Sequence, residues 1–324
     1  MRTWRLMVGC TLAALVVAAC ADGGAGLDRG LSEATASAAA SAQPDGATSS
    51  SPAPATPQAP PPSPPPSPST PPDPSPSPTR VPSPDSSAPP DWYRQRELDL
   101  TPTGFPAPQE TPPEYEDRRI RTVDHLPPPP TDEYVASIQP LPDEIVPIST
   151  WREGCPTTLD ELRYLTVSYW GFDRLHHTGD LIVHRDVAED MVWVFEQLHA
   201  ARFPIEQVGL LDDEDFTEFH RKGDDNLTAA YQCRESTGSS RWSQHAYGRA
   251  IDINPFHNPY WKWTQRGEVV LPAYATTYLD RGDVRPGMIV EGDVVVEAFD
   301  QIGWGWGGRW NSLKDWQHFS ANGN

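Results

Sequence analysis

The chain is poor in basic residues. Its 324 residues include 25 Lys and Arg against 45 Asp and Glu, a formal net charge of −20 at pH 7. From residue 151 onward 16 basic residues stand against 27 acidic ones, so that part alone carries 16 − 27 = −11. Binding to nucleic acid needs a basic surface, and so does electrostatic attraction to anionic lipid. The charge balance therefore argues against both kinds of surface as partners.

Aromatic residues are scarce in the first half and prolines are scarce in the second. Of the 12 tryptophans 10 lie from residue 151 onward, whereas 32 of the 38 prolines lie before it. Proline-rich, aromatic-poor sequence buries too little apolar surface to offset the entropy of ordering. We therefore expect one globular domain at residues 145–324, preceded by a largely disordered Pro/Ser/Ala-rich linker at residues 20–144.

The linker composition changes along its length. Residues 21–92 favour polyproline II, which suits an extended spacer; proline motifs for SH3-type readers are the alternative. Residues 93–144 carry more charge and some aromatic side chains, and the sequence assigns them no structure; a path along the domain surface is an alternative to disorder for this segment.

Long apolar runs are also lacking. The start of the chain, "MRTWRLMVGCTLAALVVAAC", has basic Arg2 and Arg5 before an apolar run that is too short to span a bilayer comfortably. This predicts a signal peptide at residues 1–19. The "VAAC" ending resembles a lipobox, which makes Cys20 the acylated N-terminus and the point of attachment to the membrane. An ordinary secretion signal followed by an incidental cysteine is the alternative.

The chain has only four cysteines. Cys10 leaves with the signal and Cys20 carries lipid, so Cys155 and Cys233 remain as an even pair in an exported domain. Exported proteins occupy oxidising compartments, so we predict a disulfide bond between these two. Two buried free thiols are the alternative.

Two common hydrolase motifs are absent. The chain contains neither G-x-S-x-G nor H-E-x-x-H, so a serine hydrolase of the nucleophile-elbow type and a zincin find no support.

Local patterns indicate an α+β domain with a central, mainly antiparallel sheet. A helix is predicted at residues 186–203, with Asp186 as its N-cap and Glu189 completing a capping box, and a second at residues 293–303 that ends at Gly303. Strands are predicted at residues 162–172, 181–184, 204–211, 229–233, 249–253 and 316–319. Asp212 to Asp215 read as a solvated loop; a calcium site is the alternative there, although the EF-hand spacing is absent.

Candidate metal ligands lie at both ends of the second half. Zinc binds His nitrogen and carboxylate oxygen, and a catalytic site has three protein ligands. His245 precedes the predicted strand "RAIDI", in which Asp252 faces away from the two isoleucines, and Gly248 gives the chain room to turn. Alone, this pair is more typical of a structural hydrogen bond. The C-terminal "WGWGGRWNSLKDWQHFS" supplies His318 as a third ligand and Asp315 close to it.

Two sequence blocks resemble a known family. The pattern S-x-H-x-x-G-x-A-x-D from Ser243 to Asp252 resembles the zinc D-alanyl-D-alanine carboxypeptidase signature of VanY-like enzymes. W-G-G-x-W followed by D-x-x-H-F resembles its second half, especially in the L-alanyl-D-glutamate endopeptidase branch. The resemblance covers about residues 150–320 and implies a Hedgehog/DD-peptidase fold.

The resemblance implies roles for individual residues. His245, Asp252 and His318 would hold Zn²⁺, Asp315 would be the general base, and Arg234 would contact the substrate or the developing oxyanion. We assign substrate binding to Ser243, Tyr247, Trp306 and Trp310, although for the tryptophans, with Trp304, core packing is an equal alternative. His257 is interpreted as an ordinary polar histidine.

The expected protein is a zinc peptidase that hydrolyses stem peptides of peptidoglycan, as a D,D-carboxypeptidase or an endopeptidase. It would be a monomer, anchored by lipid on the outer face of the cytoplasmic membrane and reaching into the cell wall. The alternatives are a non-catalytic zinc module that binds wall peptides and a structural lipoprotein whose metal only stabilises the fold.

Overall fold

A computed structural model describes residues 81–211 and 220–324. The predicted signal peptide, Cys20, the linker up to residue 80 and Asp212 to Asp215 lie outside these residues. The described part is a mixed α+β structure with two α-helices. None of its helices is long and apolar enough to cross a membrane.

Several small sheets replace the single central sheet that the sequence predicts. Three of them are antiparallel with three strands each, in the orders β1-β2-β3, β10-β7-β8 and β6-β11-β9, and β4 and β5 form a parallel pair. The strands are β1 Ala136–Pro140, β2 Leu162–Trp170, β3 His176–His184, β4 Gln207–Val208, β5 Leu227–Thr228, β6 Ala250–Asp252, β7 Tyr260–Thr264, β8 Gly267–Leu271, β9 Gly305–Trp306, β10 Lys314–Asp315 and β11 His318–Ser320. The α+β class is confirmed, and the antiparallel pairing predominates.

The first helix, α1, spans Ala188–Ala200 and packs against β2. Its inner face consists of side chains at helical spacing that are fully buried: Met191, Val194, Phe195 and Leu198. The predicted N-cap at Asp186 is wrong, because Asp186 lies in a 3-10 turn at Arg185–Val187 and binds Arg249 at 2.7 Å. The Asp186 side chain forms an ion pair with a neighbouring segment, so it does not cap the helix as the local pattern predicted.

The second helix, α2, spans Val294–Gln301 and has the predicted ends. The Asp293 side chain accepts hydrogen bonds from the backbone N–H groups of Val295 and Val296, so it caps the N-terminus. Gly303 follows the helix with a φ of 77°, the left-handed conformation that glycine adopts at helix ends.

Other predicted strands are shorter than expected, or absent. The strand expected at residues 204–211 is reduced to β4, and residues 229–233 form only an isolated bridge between Ala229 and Asp252. The hairpin of β7 and β8 was not predicted. Short apolar runs in irregular segments have the same composition as strands. Whether such a run forms a strand depends on whether a partner strand lies beside it.

Residues 81–144 are packed on the domain rather than detached from it. Tyr115 and Ile120 are buried in a cluster with Phe256 and Tyr278 of the domain, and β1 pairs with β2 along its whole length. The compact unit therefore begins well before residue 145, where composition placed the domain start. A proline-rich segment has no core of its own, but its few aromatic side chains fill apolar sites on the domain surface.

The predicted disulfide bond is confirmed. Cys155 and Cys233 are bonded, with their Cα atoms 5.8 Å apart and a sequence separation of 78. The backbone N–H of Cys233 also donates to Thr150 Oγ1 at 2.9 Å. The segment that leads into the site described next is therefore fixed at Cys233.

Candidate metal centre

Strand pairing brings Asp252 and His318 together. They are direct partners in the antiparallel register of β6 and β11, so their side chains project from the same face of the sheet. His318 Nδ1 lies 3.1 Å from Asp252 Oδ1. On β6 the neighbouring Ile251 points to the opposite face and is fully buried, as the alternation of the strand requires.

His245 enters from a 3-10 helix at Gln244–Tyr247. Ser243 caps this helix, since its Oγ accepts from the backbone N–H of His245 at 3.3 Å. Gly248 then turns the chain back with a φ of 63°. A Cβ at Gly248 would lie 2.5 Å from the backbone nitrogen of His184 in β3, so only glycine fits there.

The three candidate ligands form a compact triangle, in which each of the two Asp252 oxygens faces a different histidine. His245 Nε2 lies 3.2 Å from His318 Nδ1 and 3.3 Å from Asp252 Oδ2. Atoms bound to zinc at about 2.0–2.1 Å in a tetrahedron are about 3.3–3.4 Å apart. His245 Nδ1 lies 2.6 Å from the carbonyl oxygen of Ala230, which fixes the ring with Nε2 towards the triangle. Donor type, spacing and outer support all fit a zinc ion.

The electrostatics of His245 and Asp252 suit metal binding. Burial lowers the pKa of His245, which keeps its imidazole neutral, as a ligand must be. Burial opposes ionisation of Asp252, yet the facing His245 and His318 outweigh it and hold the pKa of Asp252 below its usual value. The carboxylate is therefore ionised throughout the neutral range.

Asp315 lies at the end of β10, paired with Tyr260 of β7. Within the described part of the chain its Oδ1 is buried and has no hydrogen-bond partner. Burial, with the carboxylate of Asp252 nearby, raises the pKa of Asp315. Gly307 makes this placement possible, because a Cβ there would lie 2.4 Å from the Asp315 carbonyl oxygen. The Asp315 carboxyl does form a hydrogen bond with Gln317, so Oδ1 is its one oxygen that is buried without a partner, and such an atom is costly unless it has a use.

Arg234 follows the disulfide-bonded Cys233 directly. Its Nε donates to Gln232 Oε1 at 2.5 Å and its Nη1 donates to the Glu235 carbonyl oxygen at 3.1 Å. The guanidinium lies within electrostatic reach of Asp252 and Asp315. The predicted arginine is therefore beside the triangle.

A cleft borders one side of the triangle. Its volume is about 630 Å³ when the space open to solvent is counted. Asp252, Asp315 and Arg234 line it together with Gln232 and Gln317. Its remaining walls are mainly apolar or aromatic and include Leu227, Ala229, Pro255, Tyr260, Leu271 and Pro272.

None of the four residues assigned to substrate binding is among those that line the cleft. Ser243 is occupied as a helix cap, Tyr247 does not line the cleft, and Trp306 packs in the core with its ring parallel to Phe319. Trp306 Nε1 also donates to the carbonyl oxygen of Trp316 at 2.8 Å. Trp310 lies close to the centre, with its ring centroid 5.4 Å from that of His318.

His257 is not part of the centre. It is fully buried, and its Nε2 lies 3.0 Å from the carbonyl oxygen of Arg118. This agrees with its interpretation as an ordinary polar histidine.

Sequence reasoning missed several polar residues of the cleft, namely Gln232, Gln317, Tyr260 and Asp225. Gln232 and Gln317 each stand beside a predicted site residue in the sequence, which is a weak signal. Asp225 follows Asp224 in a run that reads as a solvated loop, and nothing in that pattern signals its burial.

Comparison with known families identifies the region around the centre. Residues 237–321 match the family described as D-alanyl-D-alanine carboxypeptidase. The match covers all three candidate ligands and Asp315, so the region that is similar to this peptidase family includes the His-Asp-His group that could hold a metal. Comparisons with curated proteins and with solved structures find no match.

Proposed function

We propose that the protein is a zinc peptidase that hydrolyses peptide bonds in the stem peptides of peptidoglycan. The observation that carries this proposal is the compact triangle of His245, Asp252 and His318, of which Asp252 lines a cleft. The family of residues 237–321 supports the substrate class, since its described activity is on D-alanyl-D-alanine peptides.

His245, Asp252 and His318 would hold the zinc ion. When bound, zinc lowers the pKa of a water molecule and polarises a carbonyl group. The protein supplies two imidazoles and one carboxylate, fixed by β6, β11 and the bond from His245 to Ala230. Because these side chains are held rigidly, the metal site is already arranged before the metal ion binds.

Asp315 acts as the general base in this proposal. Its free oxygen lies on the cleft wall, and its raised pKa brings it closer to neutrality, where a carboxylate takes up a proton more readily. It accepts the proton of the attacking water and returns it to the leaving amine. Aspartate reaches this place because Gly307 lets β10 approach closely.

In this proposal Arg234 contacts the substrate. It is the basic side chain of the described cleft wall, since burial lowers the pKa of the other candidate, His220, to about 3. A guanidinium there binds either the oxyanion that develops during hydrolysis or a carboxylate of the peptide. A D,D-carboxypeptidase needs the second role, because its substrate ends in a carboxylate, whereas an endopeptidase needs only the first.

The experiment is digestion of purified wall fragments by the zinc-loaded full-length chain, with products identified by mass spectrometry. Release of terminal D-alanine indicates a carboxypeptidase, and cleavage within the stem indicates an endopeptidase. The His318→Ala chain should lose both zinc and activity. Full zinc content in His318→Ala would show that the third ligand is misassigned, and no cleavage by the wild-type chain would favour a binding module.

We also propose that the domain acts outside the cytoplasm. The disulfide bond and the wall-peptidase family both suit an extracytoplasmic location. The "VAAC" site further supports lipid on Cys20 and a spacer that begins there. In cells, Cys20→Ser should shift the protein from the membrane fraction to the soluble exported fraction; unchanged membrane binding would place the anchor elsewhere.

A further inference from the structure

A second carboxylate in the cleft has no part in the mechanism above. Asp225 lines the same cleft, and only 4% of its surface is exposed. Its Oδ2 accepts from the backbone N–H of Leu227 at 3.2 Å. Its Oδ1 is buried and has no hydrogen-bond partner among the described residues.

The nearest cation leaves this oxygen incompletely compensated. Arg94 Nη2 lies 3.5 Å from Asp225 Oδ1, which is longer than the 2.7–2.9 Å typical of a charge-assisted hydrogen bond. The Arg94 side chain is 39% exposed. A neighbouring buried carboxylate shows the contrast: Glu206 accepts two bonds from Arg118, at 2.7 and 2.8 Å.

Asp225 also lies apart from the metal ligands. The charged groups that affect it are Arg94, Arg118 and the adjacent Asp224, whereas Arg234 faces Asp252 and Asp315. The cleft therefore has a basic group beside the metal site and a separate acidic group on another part of its wall. A bound peptide would meet opposite charges at two places.

We propose that Asp225 is a specificity determinant that binds a free primary amine of the substrate, an inference that rests on the proposed peptidase function. An ammonium group supplies the donors that Asp225 Oδ1 lacks and compensates its charge. A peptide offers such a group at its N-terminus or at the side chain of a diamino acid. Both groups are primary ammonium groups. A buried carboxylate therefore binds either of them in preference to the same amine after acylation, which removes its charge.

The test uses four stem peptides that differ only in acetylation. One has both amines free, one is acetylated at the N-terminal amine, one at the side-chain amine, and one at both. Their binding to the zinc-loaded full-length Asp315→Asn chain is measured by calorimetry, and their hydrolysis is measured with the wild-type chain. Blocking the amine that Asp225 binds should weaken binding by about 10–100-fold, the range for a buried hydrogen bond to a charged group. The peptide that shows this loss identifies the source of the amine.

Asp225→Asn, made in the Asp315→Asn background for calorimetry, should abolish the preference, because the amide keeps the size and the bond to Leu227 but not the charge. Asp283→Asn, an exposed surface change, is the matched control and should keep the preference. Equal binding of all four peptides, or a preference that survives in Asp225→Asn, overturns the inference.

The proposed function and this inference fail separately. An amine preference in binding without any hydrolysis by the wild-type chain contradicts the peptidase and supports the role of Asp225. Hydrolysis without an amine preference supports the peptidase and contradicts the role of Asp225. Absence of both binding and hydrolysis in a folded, zinc-loaded chain contradicts both.

Discussion

Asp315 is the residue that distinguishes a hydrolase from a module that only binds. A binding module has no use for a buried carboxylate oxygen without a partner, and Asp315 Oδ1 is such an atom in the described structure. If Asp315 is the base, Asp315→Asn should keep zinc and lower hydrolysis by about 10²–10⁴-fold. Zinc content and turnover are measured on the same preparation.

The contrary result for Asp315 is also specific. If Asp315 only orients His318, zinc affinity should fall by about 10–100-fold instead. Retained zinc with unchanged turnover would refute the assignment as base.

Asp225 predicts a pH dependence of stability. Burial raises the pKa of Asp225 to about 6, with Arg94 and Arg118 opposing the rise and Asp224 adding to it. A carboxyl group whose pKa is raised on folding stabilises the folded state at any pH below its pKa in the unfolded chain. This stabilisation is lost as the pH rises through the pKa of about 6 in the folded protein. At pH 8 the ionised group therefore destabilises the free protein.

Asp225→Asn should accordingly raise the Tm at pH 8, and the gain should shrink towards pH 4, where the wild-type carboxyl is protonated. Thermal unfolding of both chains at the two pH values measures this. A lower Tm for Asp225→Asn at pH 8 would mean that the pair with Arg94 already compensates the charge.

At the scale of elements, the turn at Gly248 holds the His245 helix against β3. The carbonyl oxygen of Gly248 accepts from the His184 N–H at 2.8 Å, and the same closeness excludes a Cβ. Gly248→Ala should cost about 1–2 kcal/mol for the left-handed backbone and about 1–3 kcal/mol more for the clash. It should also lower zinc content, because His245 moves with the turn.

Gly292→Ala is the matched control for Gly248→Ala. Gly292 has a φ of 79° but nothing within 4 Å of its Cβ position, so it carries the backbone cost without the clash. Denaturant unfolding of both variants measures the difference. Equal losses in the two variants would show that β3 moves aside at no cost.

The sequence predicts the candidate metal centre more fully than it predicts the helices and strands. The site was predictable because His245, Asp252, Asp315 and His318 stand in two recognisable blocks, and strand alternation places Asp252 on the cleft side. The ends of α2 were predictable because their signals, Asp293 and Gly303, act locally. Asp186 failed as a cap because its partner, Arg249, is distant in sequence. Trp306 was ambiguous because burial in a core and exposure in a cleft suit tryptophan equally.

At the scale of the whole molecule, Arg118 joins the N-terminal segment to the domain. It is 1% exposed and forms two bonds with the carboxylate of Glu206, and its Nη1 donates to the carbonyl oxygen of Asp224. Arg118→Met should destabilise the protein by about 3–5 kcal/mol, since it leaves Glu206 buried without its cation. Denaturant unfolding of the full-length chain measures this loss.

Arg119→Met is the neighbouring control, because Arg119 pairs with an exposed Asp117 and should contribute less than about 1 kcal/mol. Similar losses for the two variants would mean that residues 81–144 lie on the domain without stabilising it. Composition did not predict this attachment, since a segment that lacks a core resembles a linker until its contacts are known.

The pairing of β6 with β11 has a consequence for biosynthesis. His318 follows Asp252 by 66 residues, so a ribosome working at about 5–20 residues per second completes β11 several seconds after β6. Until then the nascent chain has two of the three ligands and cannot form the triangle. Capture of the proposed zinc ion therefore follows the pairing of β11 with β6, and uptake of zinc by newly made protein would time that step.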